Sequence, residues 1–321
     1  MSTGSQEASN SLLLLPSHQV ERILRAVALG PAMEKALVAY SVQEARAPAR
    51  VAAGGRSGVL AAMVGYVPGT ALVTKLISIF PGNTLASRPS HQGLVALFDE
   101  ADGRVLCIMD GRALTAERTA AVSILSVARL APEGGTTLAI LGSGVQAASH
   151  LRAACQLRPW DRIRIGARDL YRARALAAPH PNAAATTSFA EAVRGADVVI
   201  MCTDSASPVV EDAWITEGCH VVSVGSGAEL PPALVARSSV FVEWRGAAGA
   251  QPPAGARELQ HLAEGSVTEL GAVLAGTRPG RTSRTETTVF KSTGLAVEDA
   301  AAARAVYDLA LELGVGTRIE W

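Results

Sequence analysis

The sequence has little of several features that would mark a specialised class of protein. Its 321 residues carry no net charge at pH 7, so no basic field favours nucleic acid as a partner. Its four cysteines are widely spaced and form no CxxC pair, which is typical of small buried residues in a reducing compartment. No stretch approaches the roughly 18 apolar residues that cross a membrane, and the apolar run 12–15 is too short for a signal peptide. We therefore expect a cytoplasmic protein with no nucleic-acid or membrane partner.

Two common catalytic patterns are also missing. No two of the six histidines stand at a metal-ligand spacing such as HxxxH, and no GxSxG motif marks a serine nucleophile. We therefore predict no metal site and no serine hydrolase. Length and a hydrophobic fraction of 49% are sufficient for two domains with cores of their own.

The middle of the chain contains a dinucleotide-binding pattern. The apolar residues 137–141 lead into Gly142-Ser-Gly144-Val-Gln-Ala147, and a helical pattern follows. Gly142 allows a tight turn, Gly144 lets the backbone approach a pyrophosphate, and Ala147 permits close packing of helix on strand. The N-terminus of the following helix favours phosphate. A tight structural turn with no ligand is the alternative interpretation.

The end of the second strand bears on the choice between NAD and NADP. NAD sites carry an acidic residue there for the ribose 2′-hydroxyl, but this chain has Ala167, followed by Arg168 and Asp169. A guanidinium can bind a 2′-phosphate with two hydrogen bonds, so the sequence favours NADP(H) over NAD(H). The alternative is that Arg168 is only solvated and Asp169 only caps the next helix.

Strands and helices alternate after residue 136, which predicts an α/β fold with a Rossmann-type, doubly wound parallel sheet. The preceding part predicts an α+β substrate-binding and dimerisation domain, completed by a C-terminal helix. We expect this domain at 1–131 with 295–321, and the dinucleotide-binding domain at 132–294. The predicted strands are 59–64, 71–80, 93–98, 105–109, 137–141, 162–166, 197–201, 219–224 and 239–242. The first predicted helix begins at Ser17, and the others cover 31–45, 114–130, 145–157, 169–178, 188–194 and 297–313. No Ile-rich strand is expected near the end of the chain.

Four motifs, in order, give the chain a family resemblance. They are Lys75-Leu-Ile-Ser-Ile-Phe-Pro-Gly-Asn83, Gly93-Leu-Val-Ala-Leu-Phe-Asp99, Leu114-Thr-Ala-Glu-Arg-Thr-Ala-Ala121 and Val289-Phe-Lys-Ser-Thr-Gly-Leu-Ala296. With the glycine loop between them, the chain resembles the ornithine cyclodeaminase/mu-crystallin family over residues 12–316. The resemblance implies a two-domain homodimer that performs hydride chemistry at the α-carbon of small amino or imino acids.

Three cations in the otherwise apolar first part are candidates for the substrate site. An α-amino or α-imino acid needs a cation for its carboxylate, and Arg118 lies among Leu, Ala and Val, where an unpaired charge is costly. By resemblance, Arg50 and Arg118 bind the substrate carboxylate, and Lys75 lies beside the reacting carbon as a catalytic and substrate-binding residue. The alternative is that these cations pair with a buried acid such as Glu117 or Asp110.

The resemblance also implies a set of residues near the dinucleotide. Any of them can instead be an ordinary cap or turn residue. Together with Gly142, Gly144, Ala167 and Arg168, the predicted cofactor-binding residues are Ser90, Arg118, Thr119, Val145, Gln146, Thr203, Gly225 and Ser292.

Two departures from the family pattern bear on the reaction. Cyclodeaminases are similar to one another in an Asp-containing loop after a Val-Gly segment, but here the loop is short and Glu229 is its only carboxylate. Glu229 is a candidate catalytic residue, and a surface glutamate is the alternative. Cyclodeaminases also have Phe-Asp-Ser where this chain has Phe290-Lys291-Ser292, as in reductase-like members.

These observations leave three hypotheses. The first is an NAD(P)-dependent ketimine reductase or amino acid dehydrogenase, in which the cofactor carries the hard chemistry and the protein orients the substrate. The second is ornithine cyclodeaminase, which forms proline and ammonia and recycles NAD. The third is a binding protein whose affinity for a small molecule depends on NADP.

Overall fold

The structure is a computed structural model that describes residues 11–86 and 88–320. Its strands are β1 Ser11–Leu15, β2 Val51–Gly54, β3 Val59–Val67, β4 Ala71–Ile79, β5 His91–Phe98, β6 Val105–Asp110, β7 Thr137–Leu141, β8 Arg162–Gly166, β9 Ala183–Thr186, β10 Val198–Met201, β11 His220–Ser223, β12 Ser239–Val242, β13 Thr268–Glu269, β14 Thr288–Lys291 and β15 Thr317–Glu320. Its α-helices are α1 Ser17–Leu24, α2 Gly30–Ser41, α3 Gly111–Leu130, α4 Val145–Leu157, α5 Leu170–Ala177, α6 Phe189–Val193, α7 Pro232–Arg237, α8 Gly246–Gly249, α9 Leu270–Leu274 and α10 Ala296–Glu312.

An eight-stranded sheet in the order β13-β12-β14-β11-β10-β7-β8-β9 forms one half of the molecule. All of its strand pairs are parallel. The chain runs from β7 outward to β8 and β9 and then returns to β10 on the other side of β7. This reversal confirms the predicted doubly wound α/β fold, and ligands of such sheets bind at the carboxyl ends of the strands beside the reversal.

A seven-stranded sheet in the order β15-β1-β6-β5-β4-β3-β2 forms the other half. Its pairs are antiparallel except for β1 with β6. Helix α10 packs on one face of this sheet, against β3 and β4. Gly65 makes the close approach possible, because a Cβ there would lie 2.8 Å from the Cβ of Ala296. The first turn of α10 is thereby held against the face on which Lys75 lies.

The long helix α3 connects the two sheets. It begins after Asp110, whose side chain caps it by accepting hydrogen bonds from the N–H groups of Arg112 and Ala113. It packs on α4 and contacts both β5 and β11. Because Leu114, Val122 and Val127 are buried in one continuous core with residues of both sheets, α3 carries Arg118 into the space between them.

The sequence located most elements, with some errors. Four predicted elements, 137–141, 145–157, 162–166 and 239–242, have the bounds of the structure. The helix predicted at 31–45 ends at Ser41, because Gln43 adopts a left-handed φ of 65° and the carbonyl of Ala39 accepts hydrogen bonds from Glu44 and Ala45.

Several short strands were missed, namely β1, β2, β9, β13, β14 and β15. Two of these strands lie near the end of the chain, where no Ile-rich strand was expected: β15 has one Ile, and β14, with none, lies between β11 and β12 with Val289 and Phe290 fully buried. The domain boundaries at 131/132 and 294/295 stay a prediction. Within residues 11–86 and 88–320, no helix combines the length and the apolar character needed to cross a bilayer.

Candidate active site and dinucleotide loop

The glycine loop after β7 lies at the reversal point of the parallel sheet. Gly142 has a φ of 120°, and a Cβ on it would lie 2.7 Å from the carbonyl oxygen of Cys202. Its N–H donates to the carbonyl of Gly166 at 2.8 Å, which ties the loop to the end of β8. Both the backbone angle and the neighbouring strand therefore require glycine at this position.

The start of α4 has the properties of a phosphate site. Gly144 is the N-cap residue, and no side chain caps the helix. A Cβ on Gly144 would meet no atom within 4 Å, and Val145 is 71% exposed. The N–H groups of the first turn therefore face open space beside a backbone without side-chain bulk, and this arrangement fits the pyrophosphate of a dinucleotide.

The end of β8 separates Ala167 from Arg168. Ala167 is 2% exposed and packs in the core, while its N–H donates to the carbonyl of Thr186. Its side chain therefore gives no support to its assignment as a cofactor-binding residue. Arg168 is exposed, and neither a hydrogen bond nor an ion pair of its guanidinium is found in the described part of the chain. Asp169 caps α5 by accepting from the N–H of Arg172 at 3.1 Å.

A buried ion cluster joins the sheet, α3 and α10. Asp299 Oδ1 accepts from Lys75 Nζ at 3.1 Å and from Arg118 Nε at 3.1 Å. Arg118 also forms an ion pair with Glu298. These four side chains are at most 5% exposed. Lys75 and Arg118 thus share one carboxylate oxygen in the interior of the protein.

The acids that the sequence suggested as partners lie elsewhere. Glu117 accepts from Ser149 Oγ at 2.7 Å and pairs with Arg152. Asp110 caps α3 and pairs with Arg112 at 3.4 Å. The alternative, in which the cations pair with a buried acid, therefore holds for Lys75 and Arg118, but α10 supplies the acids, which are Glu298 and Asp299 rather than Glu117 or Asp110.

Arg50 approaches the same cluster from the segment before β2. Its guanidinium donates to the carbonyls of Thr293 and Gly294, the latter at 3.2 Å. Gly294 has a φ of 74°, and a Cβ on it would lie 2.6 Å from a guanidinium nitrogen of Arg118. Arg50 and Arg118 therefore contact the same short turn, and the structure brings all three predicted substrate-binding cations together.

Glu243 holds this turn in place from the end of β12. Its Oε2 accepts from the N–H of Thr293 at 2.8 Å, and its Oε1 accepts from the N–H of Gly294 at 3.3 Å. Ser292, a predicted cofactor-binding residue, donates its hydroxyl to the same Oε1. Trp244 Nε1 adds a hydrogen bond of 2.9 Å to Thr293 Oγ1. The turn is therefore anchored to the parallel sheet before any ligand binds.

Two side chains of the cluster, Lys75 and Glu298, have pKa values near neutral pH. Burial lowers the pKa of Lys75 to about 8, although Asp299 opposes the shift. Burial also raises the pKa of Glu298 to about 8, against the influence of Arg118. Burial disfavours the charge on Arg118, but Asp299 and Glu298 together keep its pKa above the ordinary value. A group whose pKa is near the working pH suits proton transfer.

Glu229 connects the carboxyl ends of two strands beside the glycine loop. It is fully buried, and its Oε1 accepts from the N–H and the hydroxyl of Thr203 at 2.7 and 2.5 Å. Its Oε2 accepts from Ser223 Oγ and from the N–H of Gly225, both at 2.8 Å. Both oxygens are thus occupied by the loops after β10 and β11, so Glu229 is not the surface glutamate that the alternative described.

Lys291, the last residue of β14, contacts the loop 224–229 that Glu229 also holds. Its Nζ donates to the carbonyl of Gly225 at 2.6 Å and to Ser223 Oγ at 3.0 Å, and it lies 2.9 Å from Glu258 Oε1. Both Lys291 and Glu258 are buried. Lys291 therefore holds the loop 224–229.

The remaining predicted cofactor residues have simpler surroundings. Ser90 Oγ lies 3.0 Å from His91 Nδ1. Thr119 is 5% exposed on α3, one residue after Arg118. Gln146 lies in the first turn of α4, where its carbonyl contacts His150 Nδ1 at 2.7 Å.

Four buried carboxylates at the site were not predicted from the sequence: Glu243, Glu258, Glu298 and Asp299. For the last two, a signal was present. Adjacent acids at the start of an alanine-rich, buried helix are costly unless they meet cations.

The chain is similar to known proteins over nearly its whole length. The model of the ornithine cyclodeaminase/mu-crystallin family matches residues 11–314. The ketimine reductase mu-crystallin of Mus musculus is 35% identical over 308 residues, which cover 92% of this chain and 96% of the relative. Thermococcus litoralis Δ1-pyrroline-2-carboxylate reductase in complex with NADH and L-proline has a TM-score of 0.89 and 29% identity, over 96% of this chain and 100% of that one. An archaeal alanine dehydrogenase dimer with bound NAD has a TM-score of 0.87 and 26% identity, over 97% of this chain and 99% of that one.

Proposed function

The chain belongs to the ornithine cyclodeaminase/mu-crystallin family, and from this premise we propose that it is an NAD(P)-dependent oxidoreductase of the C–N bond of a small α-imino or α-amino acid. It works as a ketimine reductase or, in reverse, as an amino acid dehydrogenase. The observation that carries the proposal is the convergence of Arg50, Lys75 and Arg118 on one turn and one carboxylate.

The substrate carboxylate binds to the two arginines. A guanidinium offers two parallel N–H donors to a carboxylate, and Arg50 and Arg118 approach the turn 293–294 from different segments. Lys75 orients the imine beside the reacting carbon. With a pKa of about 8, Lys75 can give a proton to the product nitrogen near neutral pH.

The cofactor is held by the backbone around Gly142, Gly144, Val145 and Gln146. When bound, the nicotinamide supplies the hydride for the C=N carbon. We propose a preference for NADP(H), with NAD(H) as the alternative, because the exposed guanidinium of Arg168 has no partner in the described part of the chain and suits a 2′-phosphate. Two of the solved structures compared above hold NADH or NAD, which supports a nicotinamide cofactor for this chain.

Glu229 has a positioning role in this proposal rather than a catalytic one. Its two oxygens accept four hydrogen bonds from Thr203, Ser223 and Gly225, which leaves it poorly suited to shuttle a proton. This weakens the cyclodeaminase hypothesis, since that reaction needs a base to prepare the distal amine of ornithine for attack.

A homodimer is part of the proposal, and the outer face of the seven-stranded sheet supports it. Leu60, Val64, Leu72 and Leu94 are 51%, 50%, 38% and 38% exposed, and they share the face opposite α10. A contiguous apolar patch of this kind marks an interaction surface, and a second copy would cover it. The cytoplasmic location stays a prediction.

The test is to mix the purified protein with Δ1-pyrroline-2-carboxylate and Δ1-piperideine-2-carboxylate and to follow NADPH and NADH consumption side by side. We expect imine-dependent consumption, faster with NADPH. Proline and ammonia formed from ornithine with catalytic NAD and no added reductant would instead identify a cyclodeaminase. Tight NADPH binding without turnover of any imine would identify a binding protein.

A further inference from the structure

Two carboxylate oxygens of the buried cluster, Glu298 Oε1 and Asp299 Oδ2, accept no hydrogen bond from the described residues, and the second lies beside Lys75 and Arg118. Asp299, in the first turn of α10, gives its Oδ1 to both Lys75 and Arg118. Its Oδ2 is shielded from solvent and accepts no hydrogen bond from the described residues. A buried carboxylate oxygen without a donor is costly, and such exceptions in a native structure call for an explanation.

The neighbouring donors are already engaged. Lys75 and Arg118 donate to Oδ1, Arg118 also meets Glu298, and Arg50 donates to the carbonyls of Thr293 and Gly294. A ligand that fills this place must therefore bring an N–H or O–H donor of its own. The guanidinium groups of Arg50 and Arg118 can also bind a carboxylate of such a ligand.

An α-imino or α-amino acid has both groups on neighbouring atoms. Its carboxylate and its nitrogen are attached to the same carbon, so a carboxylate on Arg50 and Arg118 brings the nitrogen close to the cluster. We propose that Asp299 Oδ2 accepts the N–H of the substrate's cationic nitrogen while Oδ1 holds Lys75 and Arg118. The inference rests on the proposed function, and it makes Asp299 a catalytic residue.

The reaction balances with these groups. The substrate enters as an iminium whose N–H is bound to Oδ2. The C=N carbon takes the hydride that the cofactor supplies, and the π electron pair of the C=N bond becomes a lone pair on nitrogen. That lone pair takes a proton from the Lys75 ammonium, so the product is a secondary or primary ammonium and Lys75 is left neutral. The Asp299 carboxylate stabilises the positive charge that keeps the carbon electrophilic.

The experiment compares nitrogen ligands with their oxygen isosteres. In the presence of NADP⁺, the dissociation constants of L-proline and of tetrahydrofuran-2-carboxylate, whose ring oxygen has no hydrogen to donate, are measured on the full-length protein. A charge-assisted hydrogen bond from the ring nitrogen predicts that the wild type binds proline about 10- to 100-fold more tightly. In Asp299→Asn this ratio should fall to about one, and kcat for imine reduction should fall by at least about 100-fold.

The matched control is Asp308→Asn on the same helix. Asp308 pairs with Arg304 on the surface at 2.9 Å, so its substitution should leave the ratio and kcat at wild-type values. A merely structural role of Asp299 would weaken both ligands equally. An Asp299→Asn protein that keeps the wild-type ratio therefore overturns the inference.

A second variant covers the case in which Asp299→Asn does not fold, as judged by its thermal melt. Asp299→Glu keeps the charge for Lys75 and Arg118 but moves the oxygens by one methylene. We expect it to fold, with a reduced ligand ratio and a reduced kcat, and an unchanged ratio would again overturn the inference. If the wild type reduces no imine and does not prefer proline, the proposed function itself fails, and this outcome is distinct from both.

Discussion

The glycine loop and the buried ion cluster are built in opposite ways. The loop is contiguous, consists of small residues, and presents backbone N–H groups to a ligand. The cluster combines side chains from β4, α3 and α10, and Arg118 and Asp299 are 181 positions apart in the sequence. The first is specified by local backbone geometry, whereas the second exists only after the two sheets have packed.

The two sites therefore differ in the kind of substitution that impairs them. A loop made of backbone loses function when a side chain is added, while a cluster made of charges loses function when one is removed. In the cluster, each removal also leaves a partner buried without its counter-charge, so the effects of its members are not additive.

The largest effect should come from the cluster. Lys75→Met keeps the volume of the side chain but removes its donor, and we expect kcat/KM for imine reduction to fall by about 10³-fold. The dissociation constant of NADPH should not change, because the loop is independent of the cluster. Steady-state kinetics and cofactor titration check this, with Lys35→Met, at an exposed lysine on α2, as the control. Normal turnover in Lys75→Met would refute the role of Lys75.

The next effect comes from two substitutions in the glycine loop, which distinguish a loss of stability from a loss of NADPH binding. Gly142→Ala introduces a Cβ 2.7 Å from the Cys202 carbonyl at a φ of 120°, so we expect a loss of about 1–3 kcal/mol of stability and weakened NADPH binding. Gly144→Ala meets open space, so its melting temperature should equal that of the wild type. Its NADPH dissociation constant should nevertheless rise by about tenfold, since the added methyl group occupies the place of the phosphate. Unaltered NADPH binding in Gly144→Ala would contradict the phosphate site.

A smaller effect concerns the choice of cofactor. Arg168→Ala should lower the preference for NADPH over NADH, measured as a ratio of kcat/KM values, by about 10- to 100-fold. NADH kinetics should stay close to wild type. Arg174→Ala, an exposed arginine on α5, is the control. A preference that survives in Arg168→Ala would mean that another group binds the 2′-phosphate.

The last effect is on stability, through two buried histidines that contact α3, His150 from α4 and His220 from β11. Burial lowers the pKa of His150 to about 4 and that of His220 to about 3. An unfolded histidine, with a pKa near 6.5, binds a proton first, so the native state loses stability as pH falls below about 6.5. We expect up to about 1.4 kcal/mol per pH unit for each histidine between pH 6 and pH 5, seen in urea unfolding. His220→Gln should reduce this slope, and an equal slope in both proteins would contradict the assignment.

The same contrast explains what the sequence could predict. The loop, β7, α4 and β8 were predicted with the bounds of the structure, because strand, turn and helix follow one another within about 20 residues. The three cations were identified through their motifs, but their partners were not. Glu117 and Asp110 were the nearer acids in sequence, whereas the actual partners Glu298 and Asp299 come from a helix that folds back from the far end of the chain.

Short buried strands were the other weak point. Strand β14 has four residues and no flanking turn motif, so its pattern does not distinguish it from a loop. Its place in the middle of the sheet is decided by pairing with β11 and β12, which no local pattern records.

The contact between Gly65 and Ala296 has a mechanical consequence. It sets the distance between the sheet and the start of α10, and Asp299 lies three residues further along this helix. A single methyl group added at position 65 would move the start of α10 away from the sheet and the Asp299 carboxylate away from Lys75. The distance between Asp299 and Lys75 thus depends on Gly65, which is not a member of the ion cluster.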